Sequence, residues 1–270
     1  MFLTLNGINL HIESAGMGRA LLLLHGFTGA AASWAAHVPV LARGRRVIAP
    51  DLIGHGASAA PTDPARYRME HCVADLLALL DALELPQVDL LGYSMGGRVA
   101  LSLACAAPER IGRLVLESAS PGLADAGERD ARTASDNALA DSIEREGLAA
   151  FVARWEALPL FASQQALPEE TRAALRSQRL RSDPRGLANS LRGMGTGQMP
   201  PLWEALPGLR LPTLLLAGEL DSKYCDQARR MAARLPDAQL LLVPGAGHTI
   251  HLERPDAFQQ AVRTFLGVGG

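Results

Sequence analysis

Leu90-Leu91-Gly92-Tyr93-Ser94-Met95-Gly96-Gly97 decides how the rest of the chain is read. An apolar run stops at a serine with a glycine two positions to either side. The preceding Pro86-Gln87-Val88-Asp89-Leu90-Leu91 reads as a buried strand. The following Arg98-Val99-Ala100-Leu101-Ser102-Leu103-Ala104-Cys105 reads as a helix of mostly small side chains. A strand that turns at once into a helix strains its middle residue, and flanking glycines let the two backbones pass closely. The serine hydroxyl is then held out at the end of the sheet, which makes Ser94 a candidate nucleophile or base.

Upstream of this turn, residues 2–5 and 8–13 alternate apolar and polar about Asn6-Gly7, the pair that best accepts the positive φ angles of a tight hairpin. Leu21-Leu22-Leu23-Leu24 reads as a strand covered on both faces and runs into His25-Gly26-Phe27-Thr28-Gly29. A helix is expected over Trp34 to Leu41, then a strand Arg46-Val47-Ile48-Ala49-Pro50. A glycine-punctuated loop from Asp51 to Ser58 follows, and then an amphipathic helix from about Met69 to Leu83. Downstream come strands at Ile111 to Leu116, Pro212 to Gly218 and Ala238 to Val243. Helices are expected around Cys225 to Arg234 and from Pro255 to Leu266. Between Leu123 and Glu204 the chain is polar, arginine-rich and helical in period, broken at Pro159, Pro168 and Pro184. The pattern predicts an α/β fold: a mostly parallel eight-stranded sheet with helices on both faces. Residues 1–122 and 206–270 form the core, and 123–205 form a helical lid inserted between two core strands.

A chain of 270 residues, 48% of them hydrophobic, can bury one large core. Its formal net charge of −2 gives no electrostatic case for nucleic acid or an anionic membrane, and neither is expected as a partner. Lys223 is the sole lysine, so positive charge is almost wholly arginine. Cys72, Cys105 and Cys225 are odd in number, far apart and without metal-ligand spacing, and read as small hydrophobes in a reducing compartment. No metal is expected. The first residues show no signal-peptide pattern, and no apolar run approaches the roughly 18 residues of a membrane span. A cytoplasmic protein, monomeric or weakly self-associating, is the expectation.

In such sheets chemistry gathers at the carboxyl ends of the strands. Ser94 follows one strand, Asp221 follows Leu214 to Ala217, and His248 follows the last strand in Pro244-Gly245-Ala246-Gly247-His248. A neutral His248 would accept the Ser94 hydroxyl proton, and Asp221 would fix its tautomer and stabilise its charged form. Glu117 is the rival acid, because it too ends a strand. Asp221 is preferred as nearer in sequence to the histidine loop. The backbone N–H groups of Met95 and Phe27 would form an oxyanion hole. His25 is expected to hold its loop by hydrogen bonding.

Along almost its whole length the chain resembles the α/β-hydrolase superfamily: His25-Gly26, Asp51 to Ser58, Gly92 to Gly96, Asp221 and His248 match in type and order. Further stretches resemble one member family, the 2-succinyl-6-hydroxy-2,4-cyclohexadiene-1-carboxylate synthases of menaquinone biosynthesis. These are Gly92 to Arg98, Ser120-Pro121-Gly122-Leu123, Glu128-Arg129, Ala131-Arg132, Trp155, Pro159-Leu160-Phe161, Ser163-Gln164, Leu175-Arg176, Ser190 to Gly197 and Gly218 to Lys223. The resemblance implies elimination of pyruvate from a cyclohexene bearing several carboxylates, with no water consumed, no cofactor, and Ser94 as base. It also implies that Arg132 and Arg176 bind substrate carboxylates, with Arg129 an alternative to Arg132, and that Tyr93 and Trp155 supply aromatic contacts. Arg98 lies one helical turn after Ser94 and can reach the mouth of the site. Arginine suits this task because its planar fork grips a carboxylate with two hydrogen bonds. Since residues 122–205 carry twelve acids against ten arginines, any lid arginine has a plain salt-bridge reading too. The alternative function is a serine hydrolase of the same fold, cleaving an ester or a carbon–carbon bond beside a ketone.

Overall fold

A computed structural model describes residues 1–267. Strands β1 (Phe2–Leu5) and β2 (Ile8–Ala15) form a hairpin whose turn residues Asn6 and Gly7 have φ of 48° and 82°. The remaining strands are β3 (Arg19–Leu24), β4 (Arg45–Pro50), β5 (Val88–Tyr93), β6 (Ile111–Glu117), β7 (Thr213–Gly218) and β8 (Ala238–Val243). They make one sheet in the order β1-β2-β4-β3-β5-β6-β7-β8, antiparallel at β1, β2 and β4 and parallel from β4 onward. Every strand expected from the sequence is present.

The parallel strands are apolar without alternation because both faces of the sheet are covered. In β3, Leu22 and Leu24 face a layer holding Leu76, Leu79, Val99, Leu103 and Met231. Leu21 and Leu23 face the other layer, with Trp34, Leu41, Phe258 and Val262. The first layer comes from α2 (Met69–Ala82), α3 (Met95–Ala106) and α8 (Ser222–Ala232). The second comes from α1 (Val38–Leu41), α9 (Ile250–Glu253) and α10 (Pro255–Leu266). The helix expected over Trp34 to Leu41 is two pieces, a 3₁₀ turn at Ala31–Trp34 and the single-turn α1. Pro39 sits in the first turn of α1, where its missing N–H cannot extend a helix from upstream.

Between β6 and β7 lie α4 (Ala126–Glu146), α5 (Leu148–Glu156), a 3₁₀ segment at Pro159–Ala166, α6 (Glu169–Arg179) and α7 (Pro184–Met194). They carry a small core of their own: Ala140, Ile143, Phe151, Val152, Leu187, Ala188 and Leu191. The two ends of this insertion are strapped together, since Leu202 N–H donates to Pro121 O (2.8 Å) and Trp203 Nε1–H to Gly122 O (3.0 Å). Among the described residues no helix is long and apolar enough to cross a membrane.

Candidate active site

At the carboxyl end of β5 the chain enters α3 through Ser94, whose φ of 50° and ψ of −108° are strained for a residue with a Cβ. Its N–H is held by Glu117 O at 2.8 Å, so the neighbouring strand fixes the turn. The close approach explains both glycines. A Cβ on Gly92 would lie 2.3 Å from Gly96 O, and one on Gly96 would lie 2.3 Å from Leu24 O. The serine Oγ is 3.0 Å from His248 Nε2, and His248 Nδ1 is 2.7 Å from Asp221 Oδ2. With the carboxylate accepting at Nδ1–H, Nε2 is left to accept the Ser94 hydroxyl proton. Asp221 also caps α8, accepting from Tyr224 N–H at 3.3 Å. His248 and Asp221 are buried, while Ser94 is half-buried.

The histidine loop is held from two sides. Glu253 accepts the N–H groups that flank His248, from Gly247 (2.6 Å) and Thr249 (3.0 Å). The rival acid Glu117 is engaged elsewhere: fully buried, it accepts His251 N–H at 3.0 Å and His251 Nδ1–H at 2.9 Å. Two carboxylates on adjacent strand ends therefore each hold one histidine of the same loop, and only the Asp221 partner reaches Ser94. His25 acts as a brace, with Nε2 accepting Leu52 N–H (3.0 Å) and Nδ1 against Gly26 O (2.8 Å). Burial keeps its pKa low and the ring neutral.

A cavity of about 610 Å³ opens over Ser94. Phe27, Tyr93, Met95, Arg98, Arg132 and Trp155 all line it. The N–H of Met95 is the first in α3, where no intrahelical acceptor exists. In the loop after β3, Thr28 takes a positive φ of 66°, immediately after Phe27. Arg98 reaches from α3 to the lid and donates through Nη1 to Met194 O at 2.6 Å, the last residue of α7. Burial brings its pKa down to about 10, which leaves it charged at neutral pH. Arg132, on α4, donates through Nε to the buried Asp136 at 2.8 Å. The Tyr93 phenol meets Thr249 Oγ1 at 3.1 Å, and burial pushes its pKa well above the ordinary value, so it stays neutral. Trp155 packs edge-on against Phe27, centroids 5.3 Å apart.

Arg176 is not brought to this cavity. It is half exposed and donates to Glu156 Oε2 at 2.9 Å, the salt-bridge outcome. In α6 the buried arginine is Arg179, one turn further on, which also donates to Glu156 (3.1 Å) and lies over the Phe161 ring at 5.6 Å. Sequence reasoning also missed Tyr224, whose ring packs 4.6 Å from His248 and lines the cavity. Its place, three residues after the triad acid in the first turn of α8, was the available signal. Glu253 gave none, because a glutamate six residues after a glycine is an ordinary helix residue. The ionic lining is Arg98, Arg132 and Lys223 against the single carboxylate Asp221, which His248 already engages.

The α/β hydrolase fold family matches residues 19–255. A Bacillus subtilis (strain 168) protein, provisionally named 2-succinyl-6-hydroxy-2,4-cyclohexadiene-1-carboxylate synthase, is 46% identical over 94% of this chain and 92% of its own. The synthase of that name from Serratia proteamaculans (strain 568) is 35% identical over 91% of this chain and 92% of its own. The solved structure of MenH from S. aureus superposes with a TM-score of 0.92 at 37% identity, covering 95% of this chain and 98% of that one. With this coverage and identity, the chain belongs to the α/β hydrolases and, within them, to the 2-succinyl-6-hydroxy-2,4-cyclohexadiene-1-carboxylate synthases.

Proposed function

We propose that Ser94, His248 and Asp221 carry out the pyruvate elimination of this family, with Ser94 as base. His248 Nε2 takes the Ser94 hydroxyl proton, and Oγ removes a proton from the substrate ring. The C–H electron pair forms the double bond between ring carbons 2 and 3, the existing pair between carbons 3 and 4 shifts to carbons 4 and 5, and the carbon–oxygen bond at carbon 5 breaks; pyruvate leaves as its enolate, and its protonation to pyruvate takes up the proton held by His248. Asp221 stabilises the imidazolium formed in the first step. The N–H groups of Met95 and Phe27 meet the negative charge that develops on the substrate. Arg98 and Arg132 take its carboxylates, while Tyr93 and Trp155 pack against its ring. The partner is thus a small molecule with several carboxylates.

The observation that carries this reading is the charge of the cavity: a serine–histidine–acid relay lined by Arg98 and Lys223, with Arg132 beside them shared with the buried Asp136, and with Asp221, already engaged by His248, as the one carboxylate in the lining. A cationic site of this kind suits a polyanionic substrate and has no use for a neutral ester. Purified protein given 2-succinyl-5-enolpyruvyl-6-hydroxy-3-cyclohexene-1-carboxylate in labelled water should release pyruvate and put no solvent oxygen into the ring product. Ser94→Ala should lower kcat by roughly 10³-fold or more. Label in the product, or fast turnover of simple esters with no pyruvate release, would establish the hydrolase reading instead. Full activity in Ser94→Ala would remove the serine from the mechanism.

A further inference from the structure

Tyr224 stands in the first turn of α8, three residues after Asp221, and its backbone N–H is tied to that carboxylate at 3.3 Å. Its ring packs against His248, centroids 4.6 Å apart, and forms part of the cavity wall over Ser94. The ring therefore has a structural task. The hydroxyl has none: among the described residues it neither gives nor accepts a hydrogen bond. Nor is its oxygen sealed in the protein interior, so it opens onto the cavity.

The surrounding charge decides what such a hydroxyl can do. Burial pushes the phenol's pKa up, and the Arg98 and Arg132 guanidinia pull against that rise without overcoming it. The group is a neutral O–H close to two cations. Arg98 spends Nη1 on Met194 O, and Arg132 spends Nε on Asp136. Nε and Nη2 of Arg98 and both Nη atoms of Arg132 are left without a hydrogen bond in the chain. These free N–H groups suit a carboxylate entering from the cavity. A carboxylate has about four acceptor sites, more than one bond from each arginine uses. Towards an anion lying there, a neutral phenol can only donate.

We infer that the Tyr224 hydroxyl is a third donor to a substrate carboxylate gripped by Arg98 and Arg132. Tyr224 is then a substrate-binding residue in its own right, besides packing on the relay histidine. The substrate is the one proposed above, and the inference rests on that reading.

Tyr224→Phe keeps the ring against His248 and removes only the donor. Binding is read without turnover by titrating the enolpyruvyl substrate into Ser94→Ala in a calorimeter. Adding Tyr224→Phe to that protein should weaken binding about tenfold or more, as expected for a hydrogen bond to a charged acceptor. With Ser94 restored, kcat/KM should fall by the same factor, and its pH midpoint, set by His248, should not move. Equal affinity in the folded double variant would overturn the inference, and so would a moved pH midpoint with Kd unchanged, which would leave the ring a packing role only. Should the phenylalanine variant fail to fold, 3-fluorotyrosine placed at position 224 decides. Its more acidic hydroxyl should bind the substrate several-fold tighter, and unchanged or weaker binding would overturn the inference. Pyruvate release by the unaltered protein is a separate measurement, so the synthase reading can stand while this one falls.

Discussion

Arg98 shows how one side chain links the chemistry to the lid. Its stem rises from α3 one turn after Ser94, and its guanidinium donates to the carboxyl end of α7, where the helix dipole favours a cation. A lysine at this position keeps the charge but loses the planar fork. Arg98→Lys should therefore cost about 2 kcal/mol in kcat/KM, with the loss falling on reaction of the polyanionic substrate. An unchanged kcat/KM with a lowered Tm would make Arg98 a tie between core and lid only. The meeting of Ser94, His248 and Asp221 was legible in the sequence because each follows a strand, and strand ends are where this class of sheet gathers its polar groups. The lid arginines were not. Arg172, Arg176 and Arg179 recur at spacings of four and three, so all three share one side of α6, and the docking of that helix decides which is buried.

For the strand–turn–helix unit, space is as decisive as conformation. Gly96 lies against the backbone carbonyls of Leu24 and His25, so an added methyl would lie 2.3 Å and 2.5 Å from two oxygens that cannot move independently of β3. Gly96→Ala should destabilise by roughly 1–3 kcal/mol or more and lower kcat through displacement of Ser94, read by denaturant unfolding alongside activity. Wild-type values of both would mean that the turn tolerates a different path. That glycines flank the serine was plain from the sequence, but which backbone they make room for was not, because β3 is some 70 residues away. The same limit applied to Glu117 and Asp221. Both end strands, and only the pairing of β6 with β7 and the placement of His251 beside His248 show which carboxylate serves which ring.

Taken whole, the molecule buries three histidines as neutral rings. Burial lowers His25, holds His37 at about 4 and brings His55 to about 3, all below the ordinary value of 6.5. In the unfolded chain these rings take up protons as pH falls below 6.5, while in the folded protein they do not. Stability is therefore fully present above pH 6.5 and is lost as pH falls toward 4, by up to about 1.4 kcal/mol per pH unit for each ring. Unfolding free energies measured between pH 7.5 and 4.5 should show this decline, and a flat profile would mean that the rings titrate in the folded state. The mostly parallel eight-stranded sheet was readable from periodicity, since strand runs alternate with helical ones, but its strand order was not, because neighbours such as β3 and β5 are remote in sequence. The paired histidines of the final loop have one more consequence. Glu117 is committed to His251 and, through its own carbonyl, to the Ser94 amide, so it is no understudy for the relay. A chain that lost the Asp221 carboxylate could not recruit Glu117 in its place without first dismantling the His251 contact, so the two strand-end acids do not back each other up in evolution.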